Sequence, residues 1–193
     1  MFKLTNGASM NQRNPINPLE EKALKLEKRM FEMKSRYLIL FLTLNYKTDY
    51  RDDMTIDDIQ RHRNRLFNNI RSNALLRGFK GYIWKIEEGK EAGLHIHLLI
   101  FYAGDHRADV YIARQIGDYW EDVVTKGTGS YWNSNADKNR ILARGLRVGV
   151  GQIDRNNVER REGLRAIIHY IAKDDPLVAH SHHCRTFGMS QFP

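Results

Sequence analysis

The chain has 193 residues, a hydrophobic fraction of 41% and a formal net charge of +8 at pH 7, with a sequence pI of about 9.6. This length suits a single domain, no apolar run is long enough to cross a bilayer, and the polar N-terminus lacks the apolar stretch of a signal peptide. These features exclude an integral membrane protein and favour the cytoplasm. The single cysteine, Cys184, excludes an internal disulfide. The basic balance favours a polyanionic partner, although a well-solvated surface explains the charge equally well.

The apolar pattern predicts an α+β domain preceded by a helix. In chain order the predicted elements are a helix at 19–35, a strand at 36–46, a helix at 56–76, strands at 79–87 and 94–102, a helix at 107–124, a polar loop at 126–140, a strand at 146–154 and a helix at 163–175. From the first strand this is the ferredoxin-like (split βαβ) order, an antiparallel sheet with helices on one face, followed here by one further helix.

The expected organisation has three parts. An N-terminal arm and helix occupy residues 1–36, the main domain occupies 37–176, and a C-terminal tail occupies 177–193. The tail is expected to pack loosely or to dock on the sheet.

The third predicted strand carries His95 and His97, separated by Ile96. Side chains alternate along a strand, so both imidazoles point to one face. Two histidines are costly to leave without partners in an otherwise apolar strand, and the pair favours a shared metal ion over two separately hydrogen-bonded side chains. Glu87 and Glu88 lie across the hairpin turn, and alternation allows only one of them to face the histidines. Such a set suits Mn²⁺ or Mg²⁺ when phosphate is the other ligand, and it would also accept Zn²⁺.

The last predicted helix places Tyr170 and Lys173 on one polar face, together with Asp174. A tyrosine can act as a nucleophile when a metal ion binds the phosphoryl oxygens and a nearby cation eases phenolate formation. Such a pair is ordinary on a helix surface, so its significance depends on the histidines upstream. Tyr46, at the end of the first strand, is a competing nucleophile, but no lysine lies one turn away from it.

Three motifs in this order resemble those of the HUH endonucleases, the superfamily of rolling-circle replication initiators, relaxases and related transposases. They are FLTLNY (41–46), HIH (95–97) with the glutamate of KIEEG, and YIAK (170–173). The resemblance spans the chain from residue 37 onward. The single tyrosine of the third motif resembles the single-tyrosine initiators, and the ending CRTFGMSQFP is similar to the filamentous-phage (inovirus) group.

The resemblance implies a site-specific DNA nickase and strand transferase. Glu87 would be the third ligand of Mn²⁺ or Mg²⁺ beside the two histidines. Tyr170, assisted by Lys173, would attack a phosphate of single-stranded or hairpin DNA and leave a 5′-phosphotyrosine link and a free 3′-hydroxyl. Initiation of rolling-circle replication of a phage or plasmid would then need a host helicase and polymerase. A monomer without membrane association is expected.

Basic residues near the proposed site predict a groove for the DNA backbone. The candidates for DNA contacts are Arg147, Arg155, Arg165 and Trp132. Trp132 and its neighbour Tyr131 could stack on a splayed base, or they could anchor the polar loop in the core. The cluster HSHHC (180–184) carries zinc-type ligands but lacks a second regularly spaced pair, so a surface tail is the favoured interpretation.

Three functions remain compatible with the sequence. The first is initiation of rolling-circle replication. The second uses the same chemistry for transposition, mobilisation or attack on a competing genome. The third is a non-catalytic nucleic-acid-binding module on a ferredoxin-like sheet, for which a metal would be dispensable and Tyr170→Phe would have no effect.

Overall fold

The computed structural model describes residues 17–173 and 184–191, in which a six-stranded antiparallel sheet lies between two layers of helices. The strands are Arg36–Tyr46 (β1), Phe79–Gly89 (β2), Gly93–Tyr102 (β3), Gly129–Asn133 (β4), Gly151–Asp154 (β5) and Phe187–Met189 (β6). They are ordered β4-β1-β3-β2-β6, and β5 pairs with the other end of β1 on the same edge as β4. The predicted α+β class and the ferredoxin-like plan are confirmed.

Six α-helices belong to the described part of the chain. They are Pro18–Met33 (α1), Thr48–Arg51 (α2), Ile56–Asn68 (α3), Asp109–Tyr119 (α4), Lys138–Ala143 (α5) and Val158–Ala172 (α6). A π-helical turn at Trp120–Val124 continues α4. Within residues 17–173 and 184–191, no helix has the length and hydropathy needed to span a membrane.

Side-chain alternation divides the sheet between two apolar cores. Even-numbered residues of β1 and β3, such as Leu40 and Ile96, pack with α3 and α4. Odd-numbered residues, such as Ile39 and Phe101, pack with α1 and α6. The two helices of the split βαβ motif therefore share one face, as predicted, and α1 and α6 cover the other face. Because α6 lies on the odd-numbered side, it faces the side of β3 that carries the two histidines.

Two glycines allow α6 to lie close against the chain that leads into β5. A Cβ atom on Gly149 or on Gly163 would collide with the backbone of the other residue. Leu164, Ile168 and Ile171 are fully buried below the helix. This is the apolar stripe that the sequence predicts, and it fixes the helix on the sheet.

Polar contacts with α1 hold the same helix from its outer side. The buried carboxylate of Glu27 accepts hydrogen bonds from Arg161 at 2.8 and 3.0 Å. Asn17, the N-cap residue of α1, donates its side-chain amide to the Ala172 carbonyl at 2.7 Å. The last turn of α6 is therefore attached to the N-terminus of α1.

The predicted polar loop at 126–140 is wrong, because it contains β4 and the start of α5. β4 is a half-exposed strand at the edge of the sheet, so its sequence GSYWN lacks the apolar pattern of the inner strands. Its Tyr and Trp are nevertheless residue types that favour strands. The predicted tail docks on the sheet through β6, which pairs with β2.

The predicted helix at 56–76 is also too long, since α3 ends at Asn68. The Asn73 side chain accepts hydrogen bonds from the backbone N–H groups of Leu75 and Leu76 at 2.9 and 3.2 Å. Such local bonds compete with helix continuation. At the other end of the domain, the predicted strand at 146–154 shortens to β5 and α6 begins earlier than predicted, at Val158.

Candidate metal centre and active site

Polar side chains of three neighbouring strands meet on the face of the sheet that α6 covers. In the register of β2 and β3, Glu87 lies opposite His95 and Lys85 lies opposite His97. On the other side of β3, Thr43 of β1 also lies opposite His97. Residues directly opposite each other in antiparallel strands point to the same face, so these five side chains form one cluster.

Glu87, His95 and His97 form a candidate metal site. One ligand atom from each residue lies within 4.8 Å of the other two. Glu87 Oε2 is 3.1 Å from His97 Nε2 and 3.7 Å from His95 Nε2. Oxygen and nitrogen ligands around Mg²⁺ lie about 3 Å apart, so small side-chain rotations would complete the site. Glu88 is exposed on the opposite side of β2, and Glu87 is therefore the glutamate that lies with the histidines.

The hydrogen bonds of the imidazoles fit a metal ion. His95 Nδ1 lies 2.9 Å from the Gly93 carbonyl, which can only accept, so Nδ1 carries the proton. A neutral His95 then turns the lone pair of Nε2 towards the Glu87 carboxylate, and two acceptors facing each other are stabilised by a cation between them. His97 Nδ1 lies 3.2 Å from Thr43 Oγ1, which can accept a proton and leave Nε2 free in the same way. This donor set suits Mn²⁺, Mg²⁺ or Zn²⁺.

The environment favours the protonation states that metal ligands need. Burial lowers the pKa of His97 and outweighs the opposing hydrogen bond from Glu87, so the imidazole is neutral at pH 7. Burial acts to raise the pKa of Glu87, but hydrogen bonds from the two histidines and the charges of His97 and Lys85 outweigh it and hold this pKa far below its usual range. A neutral imidazole and an ionised carboxylate are the forms that bind a divalent cation.

Tyr170 reaches the same cluster from α6. Its hydroxyl oxygen lies 3.3 Å from His97 Nε2, and the two rings meet edge to face at 5.2 Å between centroids. Burial, and secondly the charge of Glu87, raise the pKa of Tyr170 to about 12. Phenolate formation is therefore unfavourable until a positive charge offsets the carboxylate.

Lys173 does not share a helical face with Tyr170. α6 ends at Ala172, and Lys173 is its C-cap residue with an extended ψ of 144°. The predicted continuation of the helix to residue 175 is therefore wrong at this point. The side chain of Lys173 is exposed, and its backbone carbonyl accepts a hydrogen bond from Lys85. Asp174, the third residue predicted on that face, lies outside the described residues.

The ammonium group beside Glu87 belongs to Lys85. Its Nζ lies 3.3 Å from Glu87 Oε1. The sequence interpretation missed this residue, although a signal was present. Lys85 precedes Glu87 by two positions on a strand, so alternation alone places both on one face.

Tyr46 lies on the opposite face of the sheet. It belongs to the core formed with α3 and α4, its side chain is nearly fully buried, and its hydroxyl lies 2.8 Å from His62 Nδ1. This position separates Tyr46 from the candidate metal ligands and removes the geometric basis for the competing nucleophile.

Trp132 lies on the same face as the candidate metal ligands. On β4 it pairs with Thr43, which in turn pairs with His97, so Trp132 is two strands away, or roughly 10 Å. The residue is 49% exposed, so the prediction that it anchors a loop in the core is wrong. Tyr131 instead points to the other face and donates a hydrogen bond to Asp118 at 2.6 Å.

The three arginines predicted to contact DNA all have exposed side chains. Arg147 pairs with Glu162 at 2.5 Å, and Arg165 lies 3.5 Å from the buried carboxylate of Glu27. Arg155 follows β5, and its carbonyl accepts a hydrogen bond from Arg161. Exposed ion pairs are weak, so these partners leave the guanidinium groups able to exchange towards a phosphate.

Two sequence features fall wholly or partly outside the described residues. The N-terminal arm does so up to residue 16. Of the HSHHC cluster, His180, His182 and His183 lie outside, and Cys184 is partly buried just before β6.

Comparison with known proteins gave one family match. A family model for the replication-associated protein ORF2 matches residues 39–175, which is well over half of the chain. The matched range includes the three candidate metal ligands and Tyr170. No curated protein and no solved structure matched the chain significantly.

Proposed function

The chain belongs to the replication-associated protein ORF2 family, and on that premise we propose that it is a metal-dependent DNA nickase and strand transferase of the HUH type. It initiates rolling-circle replication of a phage or plasmid, with the filamentous-phage initiators as its nearest group. One observation carries the proposal: the Tyr170 hydroxyl lies 3.3 Å from His97 Nε2, beside a two-histidine, one-carboxylate cluster.

The chemistry follows from the side chains of this cluster. A Mn²⁺ or Mg²⁺ ion held by Glu87, His95 and His97 would polarise a phosphate oxygen and offset negative charge beside the tyrosine. The Tyr170 oxygen attacks phosphorus and loses its proton to solvent, the bond from phosphorus to O3′ breaks, and O3′ takes up a proton. The resulting phosphotyrosine keeps the energy of a phosphodiester, so a later attack by a 3′-hydroxyl rejoins the strand.

Lys173 supplies a second positive charge in this proposal. It directly follows α6 and has an exposed side chain, so its ammonium can approach a DNA phosphate or the leaving oxygen. Its position after the helix end supports a contact with the DNA rather than with the phenol of Tyr170.

The single strand crosses the sheet along the row from Trp132 through Thr43 to His97. An exposed indole on the face of the reacting phosphate offers a stacking surface for one base, and stacking accepts any base. Arg147, Arg155 and Arg165 provide backbone contacts, which make binding depend strongly on salt. A hairpin would present the same unpaired strand next to a duplex.

The family description favours replication over the other uses of the same chemistry. Transposition, mobilisation or attack on a competing genome would need the same site, and the DNA that is nicked distinguishes them. A role in replication also brings in a host helicase and polymerase, a monomeric protein and action in the cytoplasm.

The decisive experiment detects the covalent intermediate. The protein is incubated with Mn²⁺ and a labelled, randomised library of single-stranded and hairpin oligonucleotides, and adducts are resolved on a denaturing gel. The wild type and Tyr46→Phe are expected to form an adduct, and Tyr170→Phe to form none. An adduct that persists in Tyr170→Phe, or a wild type that forms none, would overturn the mechanism.

A further inference from the structure

Lys85 is a buried lysine that the proposed mechanism does not use. Its side chain is only 7% exposed, and lysines are rarely buried to this extent unless they are paired. Two oxygen atoms surround its ammonium: Glu87 Oε1 at 3.3 Å and the carbonyl oxygen of Lys173. One group therefore connects the candidate metal ligand to the end of α6.

The contact with Glu87 separates the roles of the two carboxylate oxygens. Oε2 faces the histidines, at 3.1 Å from His97 Nε2 and 3.7 Å from His95 Nε2. Oε1 faces Lys85 instead. With one oxygen held by the ammonium, Glu87 can bind a cation through the other oxygen only, and this leaves a coordination position open for a phosphate oxygen.

The contact with Lys173 attaches the end of the helix that carries Tyr170. The last carbonyl groups of a helix have no partner within it and must find one elsewhere. Ala172 O is bound by Asn17 of α1 at 2.7 Å, and Lys173 O is bound by Lys85 of β2. Since Tyr170 precedes Lys173 by three residues, Lys85 fixes the last turn of α6 to the strand that carries Glu87.

We propose that Lys85 is a positioning residue, which binds Glu87 Oε1 and Lys173 O together and so sets the metal-binding carboxylate and the nucleophile in one geometry. Its role in the reaction rests on the proposed function. The anchoring of α6 does not, because it can be measured without DNA. Lys85 contacts neither the substrate nor the reacting atoms, and it acts through Glu87 and Tyr170.

Three measurements on Lys85→Met test this role. Hydrogen exchange of the amides in the last turn of α6 should accelerate about tenfold or more, while the amides of α3 keep their protection. Calorimetry with Mn²⁺ alone should show binding that is no weaker than in the wild type, because a like charge has been removed. Adduct formation at saturating Mn²⁺ should nevertheless slow by about 10–100-fold.

Three further variants control the experiment. Lys85→Arg keeps the charge and the donors and should recover most of the rate. Lys80→Met removes an exposed lysine from the same strand and should change none of the three measurements. Lys85→Gln is measured in parallel, and it decides by the same criteria if Lys85→Met also loses protection in α3.

The outcomes separate the two proposals. Unchanged protection in the last turn of α6 would overturn the anchor. A rate that recovers fully when Mn²⁺ is increased would overturn positioning in favour of a simple effect on metal affinity. A wild type that forms no adduct, together with the expected change in hydrogen exchange, would overturn the proposed function and leave the anchor standing.

Discussion

The two faces of the sheet use the same strands for different purposes. On the side of α3 and α4, β3 contributes an unbroken apolar series: Leu94, Ile96, Leu98, Ile100 and Tyr102. On the side of α1 and α6, the same strand begins with His95 and His97 and becomes apolar only at Leu99 and Phe101. One face is a core along its whole length, and the other is a core at one end and a polar cluster at the other.

This difference shows how a reactive cluster can be held rigidly without its own scaffold. The backbone that positions His97 is fixed by the burial of Ile96 and Leu98 on the opposite side. Neighbouring residues therefore have separable roles, one in stability and one in chemistry. Three pairs of neighbours allow this separation to be tested, and one measurement with pH compares the two faces directly.

The pair Ile96 and His97 should show the largest effects. His97→Ala removes a ligand and should weaken Mn²⁺ binding by more than about 100-fold, since changes to outer contacts alone cost about 10–100-fold. Ile96→Ala should lower the free energy of unfolding by about 2–5 kcal/mol and leave Mn²⁺ binding intact at temperatures where the variant is folded. Calorimetry and denaturant unfolding measure the two quantities. Unaltered Mn²⁺ affinity in His97→Ala would remove this residue from the site.

The pair Glu87 and Glu88 sharpens the comparison within β2. Glu87→Gln should weaken Mn²⁺ binding about tenfold or more, because an amide oxygen can still bind but the charge is lost. Glu88→Gln changes an exposed side chain on the other side of the strand and should leave the affinity unchanged. If Glu88→Gln had the larger effect in the same titration, the assignment of the third ligand would be reversed.

The pair Tyr131 and Trp132 applies the same test to DNA binding. Trp132→Ala should weaken binding of a single-stranded oligonucleotide by about 1–3 kcal/mol through the loss of stacking. Tyr131→Phe removes the hydrogen bond to Asp118 and should cost about 1 kcal/mol of stability without changing DNA affinity. Fluorescence anisotropy at fixed salt gives the affinities. Equal DNA binding by Trp132→Ala and the wild type would move the strand away from β4.

The smallest effect is expected from pH. Burial lowers the pKa of His62 on one face and of His97 on the other. As the pH falls below about 6.5, the unfolded chain gains protons at these positions before the folded protein does, so the free energy of unfolding should decrease. Saturating Mn²⁺ should make this decrease steeper, because protons compete with the ion for His97.

Variants assign the pH effect to each face. His62→Gln should reduce the slope of stability against pH with and without Mn²⁺. His97→Gln should remove the part that depends on Mn²⁺. Thermal unfolding between pH 5 and pH 8 measures both slopes, and a slope that neither variant alters would mean that other groups govern it.

Alternation and apolar runs predicted the parts of the molecule that depend on local pattern. β1 has its predicted bounds, because a strand buried on both faces reads as a continuous apolar segment. The common face of His95 and His97 follows from period two alone. The choice between Glu87 and Glu88 needed only the register of the hairpin, which the structure supplies.

The features that the sequence could not supply depend on tertiary contacts. Lys85 is one of many lysines in the sequence, and its importance comes from burial beneath the end of α6. The end of α6 at Ala172 is stabilised by Asn17 and Lys85, which are distant along the chain. β4 is polar because one of its faces meets solvent, so Trp132 was assigned to a loop.

The strand β6 and the helix α1 both lie outside the range of the family match, residues 39–175. A fragment cut to that range would lose Leu26 and Met30 from the core and would uncover the outer edge of β2, the strand that carries Glu87 and Lys85. An uncovered edge strand can pair with another copy and aggregate. The stretch that identifies the family is therefore shorter than the stretch that folds, and fragments for expression are better bounded by the closed edges of the sheet than by the recognisable motifs.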